Sequence, residues 1–164
     1  MGAQSVDGFP SVPGGAEEVT EDLRALAARV RAAGLGVELV LQCDPGPVAA
    51  TVHRVVQEAL TNVLRHAPGA TAVVTVRTAD GVVRVGVIDD GPGPSPVDRP
   101  GYGLVGLAER LEQVGGAFHA GPGPDGRGFA VRAEIPLPEL APVPAEARTS
   151  GRLGPDDGTR GSGA

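Results

Sequence analysis

Between Glu17 and Pro138 the apolar residues switch repeatedly between helical spacing and the short runs of strands, and nearly every switch falls at glycine or proline. In segment 17–33, Val19, Leu23, Leu26, Ala27 and Val30 recur at helical intervals, with acids early and arginines late, as the helix dipole favours. Gly34 and Gly36 stop that helix, and residues 37–41 read as a strand ended by Asp44-Pro45-Gly46-Pro47. A second helix is expected over 49–67, closed by Pro68-Gly69. Strands at 72–77 and 82–88 follow, joined by the hairpin signal Ala79-Asp80-Gly81. After a glycine- and proline-rich stretch, a third helix over 104–114 places Leu104, Leu107, Leu111 and Val114 on one face and ends at Gly115-Gly116. Strands at 117–120 and 129–136 complete the pattern. These segments predict an α/β two-layer sandwich: a mixed, mostly antiparallel sheet covered on one face by three helices.

With 164 residues there is room for one domain, and the ends are too biased to join its core. Residues 1–16 are expected to be a flexible lead-in, residues 17–138 the folded domain, and residues 139–164 a disordered tail. Only 2% of residues are aromatic, so the core has to be built from Val, Leu, Ala and Ile. The net charge of −6 gives no general attraction for nucleic acid or anionic lipid. Every one of the 14 basic residues is Arg, which reads as compositional bias. The single cysteine, Cys43, excludes an internal disulfide and a multi-cysteine metal site. Lacking a signal peptide or an apolar run near the ~20 residues that span a bilayer, the chain is expected to be soluble and cytoplasmic.

The helix over 49–67 divides into two faces at about 100° per residue. Val52, Val56, Ala59, Leu60, Val63 and Ala67 form one, while Glu58, Asn62, Arg65 and His66 are grouped on the other. A solvated face accounts for such a polar side by itself. The residue types allow more: an amide oxygen can ligate Mg²⁺, a hard cation that keeps several waters, and a guanidinium forks onto phosphate oxygens. Asn is also a poor helix former, which makes its mid-helix position informative.

Asp89-Asp90-Gly91-Pro92-Gly93 follows directly on a strand, where glycines let backbone approach a ligand and a strand-end carboxylate can accept from an amino group. Gly101-Tyr102-Gly103-Leu104 opens the third helix, and a helix N-terminus after glycines suits phosphate. Taken singly, both motifs also occur in ordinary turns. In order and spacing they are specific. The run RVVQEALTNVLRHA at 54–67 resembles the N box of bacterial sensor histidine kinases, in the subfamily that partners LuxR-type response regulators. Residues 89–93 resemble the DxGxG box of the same ATP-binding catalytic domain, and residues 101–106 its GxGLxG box. The resemblance covers roughly 17–137, and residues 17–33 resemble the linker helix that follows the phosphoacceptor hairpin.

That resemblance implies a Bergerat-type fold, shared with gyrase-like and chaperone-like ATPases, that binds ATP with Mg²⁺. It implies Asn62 as the magnesium ligand, Glu58 as general base or orienter for an attacking imidazole, Arg65 at a phosphate and His66 against the nucleotide. Asp89 would accept from the adenine amino group, with Gly91 and Gly93 letting the chain pass close to the base. Gly101, Gly103, Leu104 and the helix N-terminus behind them would cradle phosphates. The partners implied are the phosphoacceptor and dimerisation domain of a parent kinase, which can be membrane-anchored, and a response regulator downstream. The domain alone is expected to be monomeric.

Two features depart from, or narrow, the family pattern. Many relatives carry Thr after the late glycine, whereas Gly128 here is followed by Phe129; the segment 94–100, the expected ATP lid, is short. Neither His53 nor His119 is expected to be the phosphoacceptor, which is expected on a separate segment. An anti-sigma-factor-type serine kinase or a nucleotide-binding module without turnover would share this fold. Deleting residues 139–164 is expected to leave melting temperature and ATP affinity nearly unchanged; thermal denaturation of the truncated chain tests this, and a drop of several degrees would refute it.

Overall fold

The computed structural model describes residues 15–94 and 102–138. The lead-in before Gly15, Gly101, nearly all of the expected lid and the tail lie outside the described residues. Three helices and five strands follow in the order α1 (Gly15–Ala32), β1 (Gly36–Gln42), α2 (Ala49–His66), β2 (Thr71–Ala79), β3 (Val82–Asp89), α3 (Tyr102–Gln113), β4 (Ala117–Pro122) and β5 (Phe129–Pro136). A single short 3₁₀ turn, Gly46–Val48, leads into α2. Differences from the expected boundaries amount to a few residues at the element ends. β2 gains Thr71 by pairing with Gly36 of β1 and Thr78 and Ala79 by pairing with β3, and β4 runs on to Pro122. Proline is tolerated there because β4 lies at the sheet edge.

The sheet has the order β1-β2-β3-β5-β4. β1 and β2 are parallel, as a crossover through α2 requires, and every other neighbouring pair is antiparallel. Asp80 and Gly81 both hold positive φ, 53° and 72°, and join β2 to β3 in a two-residue turn with Ala79 opposite Val82. That conformation matches the twist of the strands, and Asp-Gly is among the pairs that adopt it at least cost.

Alternate strand residues are buried: Val37 on β1, Ala72, Val74 and Val76 on β2, Val83, Val85 and Val87 on β3, and Val131, Ala133 and Ile135 on β5. They meet the apolar faces of the helices, and α2 lies across β2, β3 and β5 with α1 and α3 on its flanks. Val52, Val56, Ala59, Leu60, Val63 and Ala67 are buried as expected, and Val55 joins them. The fully buried core is entirely aliphatic; Phe118 and Phe129 pack at its margin. In α1, acids occupy the first turn and arginines the last, and the Arg31 guanidinium donates to the Val37 carbonyl, tying the helix to β1.

Asp89 continues the alternation of Val83, Val85 and Val87, so a carboxylate occupies a core-facing position at the end of β3. That register is what positions the site. Leu60 has no solvent exposure and sits at the centre of the helix–sheet interface. Leu60→Ala is expected to cost about 2–5 kcal/mol, read as a lower urea midpoint at unchanged slope.

Candidate functional site

A cavity of about 240 Å³ opens between α2, the end of β3 with its following loop, and the β4–β5 pair. Asn62, Val63, His66 and Ala67 line it from α2, Asp89, Gly93 and Pro94 from β3 and the loop, and Ala120, Gly121, Pro122 and Phe129 from β4 and β5. Only Asn62, His66 and Asp89 bring polar side chains to this wall.

Asp89 is the one buried charged residue among the described residues, at 5% exposure. Its Oδ1 accepts the Gly91 N–H at 2.8 Å. Asp89 is also among the residues that line the cavity. The neighbouring Asp90 is exposed and serves the loop instead. Its Oδ1 accepts the Thr71 N–H at 2.7 Å, and its own N–H donates to the Thr71 carbonyl at 3.1 Å. Two adjacent carboxylates thus have opposite roles, set by which side of the strand end each occupies.

The loop can adopt this path only with glycine at its tight points. A Cβ on Gly91 would lie 2.6 Å from the Ala67 Cβ and 2.8 Å from Asp89 Oδ1. Gly128 donates its N–H to the Gly91 carbonyl at 3.0 Å, holds φ +65°, and would overlap the Asp89 carbonyl oxygen if it carried a Cβ. Sequence reasoning noted Gly128 only as the late glycine before Phe129 and assigned it no role in the site.

The polar residues grouped on α2 separate in the structure. Asn62 and His66, one turn apart, line the cavity; Arg65 is exposed and does not border it. Glu58 faces the start of α3, where a Cβ on Gly103 would overlap its carboxylate, and Arg54 Nη2 meets its Oε1 at 2.8 Å. An acid beside a helix N-terminus is favourably placed. The side chain of Leu104 is buried in the core at 3% exposure, so this residue offers a ligand only its backbone. Of the residues assigned from sequence, Asn62, His66, Asp89 and Gly93 come together at the cavity, and Gly91 shapes its floor through Asp89. Glu58 and Gly103 form a second locus one turn earlier along α2, beside the start of α3. The apolar walls from β4 and β5 carried no sequence signal, being ordinary strand residues.

Elsewhere, Cys43 is half-buried, and burial, then the adjacent Asp44, pushes its thiol above the ordinary value. A raised thiol is a poor nucleophile at neutral pH. Among the described residues no three His, Cys, Asp or Glu side chains converge as a metal cage. The donor set suits a divalent cation held by one amide oxygen, with remaining ligands from phosphate and water.

The family model for histidine kinase-, DNA gyrase B- and HSP90-like ATPases matches residues 48–139, and the chain belongs to that family of ATP-binding domains. The sensor histidine kinase YxjM of Bacillus subtilis (strain 168) is 32% identical over 116 residues, which cover 71% of this chain and 27% of that protein. The sensor histidine kinase LnrJ of the same organism is 30% identical over 132 residues, covering 78% and 31%. The chain thus spans about a quarter to a third of the length of the curated relatives it matches. The histidine kinase domain of a blue-light-activated kinase from Erythrobacter litoralis EL346 shares the fold, with a TM-score of 0.60 at 23% identity over 74% of this chain and 64% of that one.

Gly128→Ala tests the loop. Positive φ alone costs about 1–2 kcal/mol for a residue with a Cβ, and the overlap with Asp89 adds to it. A melting temperature several degrees lower is expected in thermal denaturation; an unchanged one would refute the interlock.

Proposed function

We propose that this domain binds Mg-ATP and donates the γ-phosphoryl group to a histidine on the separate phosphoacceptor hairpin of a parent kinase, upstream of a LuxR-type response regulator. The observation that carries the reading is Asp89: a buried carboxylate, fixed at one oxygen by Gly91, on a residue that lines a small, mainly apolar cavity. That is the chemistry needed to seat one flat ring with an exocyclic amino group. The volume is below the roughly 300–1,000 Å³ of pockets that enclose whole drug-sized ligands, so the base enters it and the phosphates lie outside.

The remaining roles are proposed on the same reading. Asp89 Oδ2 accepts from the adenine amino group. His66 stands at the cavity wall beside the base, and Gly93 lets the loop pass close to it. Asn62 offers its amide oxygen where the phosphates leave the cavity. Magnesium held there would supply positive charge to offset the charge that builds on the phosphates during transfer. Backbone N–H groups at the start of α3, at Gly103 and Leu104, receive phosphate oxygens, and Arg65 reaches the same anion from solvent. Glu58, on the α3 side of the helix, orients the acceptor imidazole or takes its proton. The sensor kinases among the relatives support phosphohistidine chemistry over a serine kinase. The LuxR-type partner rests on the wording of residues 54–67. No helix among the described residues is long and apolar enough to cross a membrane, and the domain works in the cytoplasm, where ATP is supplied.

Calorimetry and acid-labile phosphate counting test the assignments together. Asp89→Asn removes a charge-assisted hydrogen bond worth about 1.5–3 kcal/mol, so ATP affinity is expected to fall roughly tenfold or more without unfolding. Asn62→Ala is expected to abolish magnesium-dependent binding. Glu58→Gln should bind ATP like wild type yet label a supplied acceptor hairpin ~10²–10⁴-fold more slowly. Equal labelling by the Glu58→Gln and wild-type proteins would remove Glu58 from the chemistry.

A further inference from the structure

We infer that Phe129 determines base specificity by closing the cavity wall opposite α2, so that Asp89 reads the base without competing water. The inference rests on the nucleotide reading above. Phe129 opens β5, pairs in register with Pro122 of β4, and packs at the margin of the core. With Ala120 and Gly121 these two residues make a wall that carries no hydrogen-bonding side chain. The ring is also fixed relative to the acid: Gly128, its immediate neighbour, touches the Asp89 carbonyl and donates to the Gly91 carbonyl. Acid, glycine and ring therefore form one rigid corner of the cavity.

The consequence is selectivity rather than affinity alone. A base with an amino group satisfies Asp89 Oδ2. A base with an oxo group at the same position sets a lone pair against the carboxylate, and the apolar wall offers no side chain to hold a bridging water. An unmet polar group in such surroundings bears its full desolvation cost. Removing the ring would admit water, which can mediate between the two acceptors and relax the discrimination.

The test compares ATP with inosine triphosphate, which differs at that position, by calorimetry on the full chain with magnesium present. Wild type is expected to prefer ATP. Phe129→Thr and Phe129→Val both open the wall at a strand position that accepts either residue, and each should reduce the ATP-to-inosine-triphosphate affinity ratio by about tenfold. Phe129→Leu keeps most of the volume and should hold the ratio within about threefold of wild type. Circular dichroism and melting curves identify any variant that fails to fold, and the ratio is then read from the other opening variant. A wild-type preference for ATP that persists in a folded opening variant overturns the role of Phe129 and leaves the nucleotide reading intact. No binding of either nucleotide by folded wild type overturns the nucleotide reading and this inference with it.

Discussion

The site depends on a contact between two pieces of backbone, the end of β3 and the residue before β5. Gly128 lies against the Asp89 carbonyl and donates to Gly91, while Gly91 in turn donates to the Asp89 carboxylate. These contacts are satisfied together or lost together, because each glycine fits only if the other stands where it does. They hold a charged group at a position where β3 would otherwise bury valine. Asp90 and Thr71 anchor the same loop from its other side, to the start of β2. Among the described residues, the buried carboxylate is therefore oriented by backbone.

Helix α2 carries two functions on adjoining stripes. Its apolar face supplies the centre of the core, from Val52 to Val63, and Asn62 and His66 border that face where the helix reaches the cavity. Val63 and Ala67 belong to both stripes, being buried against the sheet and also cavity wall. Packing of the core thus sets the distance from Asn62 to Asp89 without any direct bond between them. One turn before Asn62, Glu58 sits against Gly103 with Arg54 beside it, coupling α2 to the start of α3. The proposed binding and transfer groups lie on one helix but face different neighbours, which allows one to be altered while the other keeps its place.

An almost ring-free chain can build this domain because the interface between helices and sheet is filled by branched aliphatics. Valine stands at most buried strand positions, where its stiff side chain loses little freedom. Phe129 is then conspicuous as an aromatic ring placed at the cavity instead of in the core.

Much of this was legible in the sequence for a physical reason: secondary structure follows local periodicity and turn chemistry. The three helices, the five strands, the Asp80-Gly81 hairpin and the core face of α2 all follow from residues within a few positions of one another. So did the candidacy of Asn62, Asp89 and the glycines, whose types are costly or uncommon where they stand. What the sequence could not decide was which polar residues would meet. Arg65 and His66 are neighbours in sequence, yet only His66 borders the cavity, because the wall opposite is formed by β4 and β5, more than fifty residues later. Nor does any local pattern mark Gly128, whose need to lack a side chain arises from the Asp89 carbonyl across the sheet. Local propensity determined the elements; the strand order β3-β5-β4, a matter of long-range packing, decided the cavity they enclose.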